Sequence, residues 1–233
     1  MKTSLQAEGP AFIRNLVVLS VIGLVVFGLL LFLPAWTFNY WQAWVFIVVF
    51  SLSTALPSIY LSVKNPAALE RRMQAGPAAE ARTVQRIIIS SAFLLLPAMM
   101  VLSAFDHRFG WSPVPVAISV IGDVLVALGL GITWLVVMQN NYAAANITVE
   151  SGQKVITTGL YGLVRHPMYV GVLIMMVGIP LALDSLWGLV IIIPGVIALV
   201  FRILDEEKML KQELGGYSEY TQKVHYRLVP YVW

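Results

Sequence analysis

The stretch 158–169 reads Thr-Gly-Leu-Tyr-Gly-Leu-Val-Arg-His-Pro-Met-Tyr and gathers, within a mostly apolar chain, the groups that polar chemistry needs. Pro167 suits the first turn of a helix, where its missing N–H would have no partner in any case. Arg165 and His166 then fall at the positive end of that helix, beside free backbone N–H groups. Such a place attracts a carboxylate or a phosphate. A second polar cluster follows one helical hairpin later, at Arg202, Asp205, Glu206 and Glu207. On a helical wheel Arg202, Glu206, Met209 and Glu213 share one face, and Glu207 and Lys211 the opposite one. Two polar clusters joined by an apolar hairpin imply one site.

The elements that position these clusters belong in a membrane. Apolar residues make up 59% of the 233 and charged residues 12%, with a mean hydropathy of +0.82. That is far from a soluble profile. Several windows run about 18 or more residues without a charge, enough to cross a bilayer. Spans are expected near 15–37, 39–63, 84–105, 115–138, 168–183 and 186–204, the last two forming a hairpin. The fold class is therefore all-α, a polytopic bundle of about six membrane helices. No repeat or low-complexity linker divides the chain, so residues 1–233 read as a single membrane domain, with a four-helix part (1–138) and a polar-rich part (139–233). The absence of Cys excludes disulfides and thiolate metal sites. His107, His166 and His225 match no metal-ligand spacing, and no metal is expected.

A net charge of +3 could suggest nucleic acid, but the placement of charge argues for a membrane instead. With these spans, Arg108 alone of the 15 Lys and Arg falls on one side. The positive-inside rule then puts both termini and the polar clusters in the cytoplasm, facing anionic lipid. Residues 1–14 precede an apolar run too long for a signal-peptide core, and read as an uncleaved anchor. Trp36, Tyr40, Trp41 and Trp44 form an interfacial belt where spans one and two turn.

Residues 64–86 are polar, with Leu69 and Met73 four apart and Arg71 and Arg72 on the remaining face. A surface helix broken by Gly76-Pro77 fits this pattern, and so does a gate over the site. His107 reads as a solvated residue of an outer loop. Asp123 lies about two turns inside a span, nearer the outer face, where a structural hydrogen bond accounts for it. Gly129-Leu130-Gly131 indicates close helix packing. Asn141 and Tyr142, at a membrane exit, either line a pocket or cap span four. The last helix is expected to continue past the membrane to Leu214, with Gly215-Gly216 as its stop. The aromatic, basic tail beyond should fold back against the membrane.

The central stretch, with Arg202-x-x-Asp205-Glu206-Glu207-x-x-Leu210-x-x-x-Leu214-Gly215-x-Tyr217-x-x-Tyr220 and the closing Tyr226-Arg227-Leu228-Val229-Pro230, resembles the isoprenylcysteine carboxyl methyltransferase and phospholipid methyltransferase group. The likeness covers roughly residues 140–233; the preceding part matches only as unspecific spans. Gly215-Gly216 departs from the family's simpler Phe-Gly. The resemblance implies S-adenosylmethionine as methyl donor and a lipophilic acceptor approaching sideways from the bilayer. Residues 139–233 become the cofactor-binding catalytic part. The resemblance makes Gly159, Tyr161, His166, Pro167, Tyr169, Glu206 and Glu207 cofactor-binding candidates and Arg165, Arg202 and Glu206 catalytic ones. Asn141, Tyr142 and Arg202 become candidates for the acceptor, most naturally an isoprenylcysteine-like carboxylate.

The chemistry agrees with that implication. The donor's α-carboxylate fits the helix terminus beside Arg165. Its ammonium and ribose diol call for carboxylates, which residues 205–207 supply. A sulfonium is stabilised by aromatic faces such as Tyr161 and Tyr169. In-line displacement needs no covalent enzyme intermediate and no metal, only positioning and desolvation. A carboxylate acceptor needs no general base; an amine must lose a proton. The alternative is an NADPH-dependent sterol-type membrane reductase, which carries a similar Gly-x-x-x-Arg-His-x-x-Tyr run and Tyr-Arg-Leu-x-Pro ending. The brevity of the chain and its Asp-Glu-Glu run favour the sulfonium donor. A transporter would place polar residues along a path through the midplane, whereas here they gather at one face.

Overall fold

The computed structural model describes residues 10–73, 76–80, 82–143, 149 and 152–233. The first nine residues of the expected anchor, and the centre of the 139–158 loop, lie outside them. Among the described residues there is no strand, and the α-helices are α1 (Pro10–Ala35), α2 (Trp41–Lys64), α3 (Pro66–Met73), α4 (Thr83–Phe109), α5 (Val116–Gln139), α6 (Pro167–Ala182), α7 (Ile192–Glu213) and α8 (Tyr217–Lys223). Five apolar helical segments, one in each of α1, α2, α4 and α5 and one running through Trp187–Glu213 into α7, are long enough to span a bilayer. The sixth expected span is α6. At 16 residues it is about 24 Å long, short of a full hydrocarbon core of about 30 Å. With Gly171 lying against Gly129, its N-terminus at Pro167 stops short of the end of α5 at Gln139, which leaves room for a site above it.

Glycine sets the place of α6. It lies along α5 so closely that a Cβ on Gly129 would come within 2.4 Å of the Gly171 carbonyl oxygen, and one on Gly178 within 2.7 Å of that of Gly122. These residues are seven apart on both helices, so one seam of backbone-to-backbone contact runs along the pair. The packing expected of Gly129 is thus present, whereas a Cβ on Gly131 would meet nothing within 4 Å. Without a hydrophobic drive between helices in lipid, such close approach supplies the dispersion contacts that fix the register.

Away from the Arg-His-Pro stretch, three expectations are corrected. His107 is not a solvated loop residue: α4 runs on to Phe109, stacking the imidazole on Tyr40 at 3.7 Å and placing Nδ1 3.3 Å from Asp184. Tyr40 leaves the aromatic belt as well, being fully buried with its hydroxyl donating to the Leu183 carbonyl. Trp36, Trp41 and Trp44 stay exposed, as a belt requires. Asp123 makes no structural hydrogen bond through Oδ1, which is buried without a partner.

Candidate active site

Below the described part of the 139–158 loop, a cleft with about 830 Å³ of atom-free space, its open mouth included, lies over the N-terminus of α6. Its floor is His166, Pro167, Met168 and Tyr169, and α7 contributes Arg202, Glu206 and Leu210. Asn140 and Tyr142 come from the end of α5, Lys154, Val155 and Ile156 from the extended approach, and Tyr217 and Tyr220 from α8. The two polar clusters of the sequence therefore meet. Pro167 occupies the first turn of α6 with His166 as N-cap, as its fixed φ favours.

A chain of hydrogen bonds crosses from α7 to α6 and back. Arg202 Nε donates to the Tyr169 hydroxyl at 2.9 Å, which donates to Glu206 Oε2 at 2.6 Å. Tyr169 and His166 stack at 5.6 Å. Arg202 is only 7% exposed, so its charge must be balanced nearby. Part of that balance comes from Glu80, 3.0 Å from Nη1, with Gln85 Oε1 also at 3.0 Å. Asp205 turns the same way, to Arg82 and Gln85. Glu80 and Gln85 were not legible as site residues. Glu80 lies in the polar stretch before α4 and Gln85 in the first turn of that helix, with no periodicity to single them out, and only the fold carries them to α7.

Glu207 behaves differently from Glu206. It faces away from the cleft into a buried knot, with His166 Nε2 at 3.2 Å, Arg227 Nε at 3.0 Å and Arg165 Nε at 2.9 Å. The Arg165 contact is an ion pair without hydrogen-bond alignment. The expectation of free backbone N–H groups at Arg165 and His166 also changes: both are taken by the tail carbonyls of Tyr226 and Arg227, at 2.9 and 3.0 Å. Arg227 in turn lies over the ring of Trp233 at 5.0 Å. The tail, expected against the membrane, folds back onto the start of α6, and Glu207 is the latch that holds it there.

Of the other expected residues, Tyr161 lines the cleft, takes a hydrogen bond from Asn140 at 3.1 Å and lends its carbonyl to the Tyr220 hydroxyl at 2.7 Å. Gly159 lies behind the wall. Its φ of +62° and the Gln139 amide, 2.6 Å from where a Cβ would stand, give it a backbone role. Asn141 is an exposed partner of Asn65 and Arg71, and the neighbouring Asn140 takes the place in the lining. Tyr142 lines the cleft beneath the Arg71 guanidinium. Helix α3 thus borders the site, Arg72 donating to Met168 Sδ. Burial, first of all, pushes the hydroxyls of Tyr161, Tyr217 and Tyr220 above their ordinary value of 10.0, so each remains a neutral donor. The Tyr217 hydroxyl, in the cleft lining, is buried with no partner among the described residues.

A second cleft opens among α1, α4, α6 and α7, and its walls are almost wholly apolar. Phe27, Leu30, Leu96, Met176 and Leu199 line it, and one charged residue closes it: Arg202. Arg202 therefore lines both the polar cleft and the lipid-side one.

Fold and site together define a polytopic helical membrane protein whose polar cleft at one end adjoins an apolar cleft within the bundle. Residues 117–216 match the phospholipid methyltransferase family. The chain is 36% identical over 118 residues to a probable protein-S-isoprenylcysteine O-methyltransferase of Oryza sativa subsp. indica, covering 46% of this chain and 59% of that one, with the same figures for the subsp. japonica protein. It is also 33% identical over 90 residues to the Delta(14)-sterol reductase TM7SF2 of Mus musculus, covering 37% of this chain and 22% of the reductase. The chain thus spans little more than half the length of the rice relatives and about a fifth of the mouse one. In its C-terminal part the chain is thus similar to phospholipid and isoprenylcysteine methyltransferases of the membrane.

Proposed function

We propose that the protein transfers a methyl group from S-adenosylmethionine to a lipophilic acceptor, with the carboxylate of an isoprenylcysteine-like lipid as the acceptor group. The observation that carries this reading is Arg202, the one charged residue in the lining of the lipid-side cleft and at the same time part of the polar cleft wall. An acceptor whose chain lies in the apolar cleft brings its head group to the edge of the donor pocket. Donor binding falls to His166, Pro167, Tyr161, Tyr169 and Glu206. The unpartnered Tyr217 hydroxyl supports the fit of a ligand rich in acceptor atoms. Gly159 and Glu207 support that pocket from behind its wall. When bound, the donor supplies an electrophilic methyl on a sulfonium.

The chain's own groups then orient, desolvate and balance charge. Arg202 holds the acceptor carboxylate, Glu206 and Tyr169 fix the guanidinium, and Arg165 offsets the buried Glu207. Tyr142 borders the head group. No group needs to remove a proton from a carboxylate, and no residue forms a covalent bond. The excess of Lys and Arg at this end supports a cytoplasmic site with both termini on the same side, and lipid is the surrounding partner rather than nucleic acid or metal.

Calorimetry on purified protein tests the reading. S-adenosylmethionine should bind, and His166→Ala or Glu206→Ala should weaken binding at least about tenfold, or about 1.4 kcal/mol. Unaltered affinity in both variants would defeat the site. The likeness to a sterol reductase makes NADPH the control ligand. Binding of NADPH in place of the sulfonium donor would turn the assignment to hydride chemistry.

A further inference from the structure

Arg202, which lines both clefts, is already paired. Arg202 Nη1 lies 3.0 Å from the Glu80 carboxylate, and Glu80 is itself only 3% exposed. Glu80 follows the turn Pro77–Ala79 and is held from behind, its carbonyl taking a hydrogen bond from Arg86 at 3.2 Å. Gln85 and Tyr169 would keep Arg202 in place without it, through bonds of 3.0 and 2.9 Å. Glu80 is therefore more than a strut: position has other supports, and what Glu80 adds is negative charge. Counted with Glu206, which reaches Arg202 through Tyr169, two carboxylates answer one guanidinium at the head of an apolar cleft.

A cation in the wall of an apolar cleft is the recognition element for any amphipathic anion, and a bilayer is full of them. We propose that Glu80 is a specificity-determining residue that neutralises Arg202 against adventitious lipid anions, so that only an acceptor with further contacts in the polar cleft displaces the pairing. The idea rests on the reading of Arg202 as the acceptor-side cation. It assigns to the 76–86 segment a part in selecting the acceptor, distinct from any part in binding the donor. Extra affinity gained by removing Glu80 would be ground-state affinity and would not speed the chemical step.

The test uses the full chain in neutral detergent, with oleate as the anion probe and a synthetic S-prenylated N-acetylcysteine as acceptor. Glu80→Gln keeps shape and loses charge. It should bind oleate about tenfold more tightly than the wild type and show a severalfold lower acceptor KM with no gain in kcat. S-adenosylmethionine affinity should stay within about twofold. Glu80→Ala, which packs differently, should shift oleate the same way, and adding Arg202→Gln to either should cancel the gain. Oleate affinity that is unchanged or weaker in both Glu80 variants overturns the proposal, as does a gain that survives Arg202→Gln. Because oleate binding is read without the donor, it decides the role of Glu80 even if the wild type fails to bind S-adenosylmethionine, an outcome that counts against the methyltransferase reading instead.

Discussion

The two ends of the bundle both bury carboxylates, and they do so in opposite ways. At the remote end Asp106 is 1% exposed and accepts from the Ser112 backbone N–H and hydroxyl, from Ser185 Oγ at 2.6 Å and from the Trp187 N–H at 3.3 Å. Asp184 takes the Val114 N–H at 2.9 Å and His107. These two acids knit the α4–α5 and α6–α7 connections together, and none of the cavities described above includes them. At the other end Arg202 and Glu206 border a cleft, and a tyrosine hydroxyl in its lining has no partner. A carboxylate satisfied by backbone and hydroxyl donors stabilises a turn. One that answers a cation beside a cavity is available for chemistry. Burial by itself does not tell the two apart; the surroundings do.

The contrast breaks if activity and stability fail to separate. The largest effect is expected for Glu206→Gln, with methyl transfer reduced roughly a hundredfold, about 2.7 kcal/mol of transition-state stabilisation. The melting temperature should change little, as a scanning measurement on the same sample would show. Asp106→Ala should do the reverse. It strands several buried donors, each costing on the order of 1–3 kcal/mol, so the melting temperature should fall markedly while the remaining folded protein binds S-adenosylmethionine normally. If Asp106→Ala abolishes donor binding in folded protein, the two ends are coupled and the comparison is wrong.

Smaller effects sharpen it. Gly129→Ala should cost about 1–3 kcal/mol through overpacking against Gly171, whereas Gly131→Ala should be nearly neutral. The difference in melting temperature between the two variants measures the seam that seats α6. Glu207→Gln should loosen the tail from Arg165, His166 and Arg227, seen as faster proteolysis after Lys223 or Arg227, with S-adenosylmethionine protecting less than in the wild type.

The smallest effect concerns Tyr217. Its hydroxyl is raised above its ordinary value of 10.0, chiefly by burial, so the stability it contributes is complete below pH 10 and is lost as pH rises above that. Tyr217→Phe should remove that share of the alkaline loss and leave neutral-pH stability almost unchanged, since no partner is lost. It should nonetheless weaken donor binding; equal affinity would mean that the hydroxyl faces no ligand.

Much of this was legible in the chain itself. Apolar run length in a fluid that cannot hydrogen-bond leaves a helix as the available form, so the spans and the all-α class follow from composition. The Arg-His-Pro start of α6 and the meeting of residues 161–169 with 202–206 follow from local signals at the two ends of one helical hairpin. The pairing of Glu80 and Gln85 with Arg202 was decided by the tertiary structure, because side-chain contacts across 117 or more positions leave no periodic trace. The helical wheel already separated Glu206 from Glu207, but the tertiary structure decided what each face meets: the cleft for Glu206, and for Glu207 the Arg165–His166–Arg227 knot rather than Lys211. The stacking of His107 on Tyr40, and the choice of Asn140 over Asn141, were set in the same way. Sequence determined where polar groups had to emerge from the bilayer. Only packing, through the glycine seam that sinks α6, decided which of them would share a cavity.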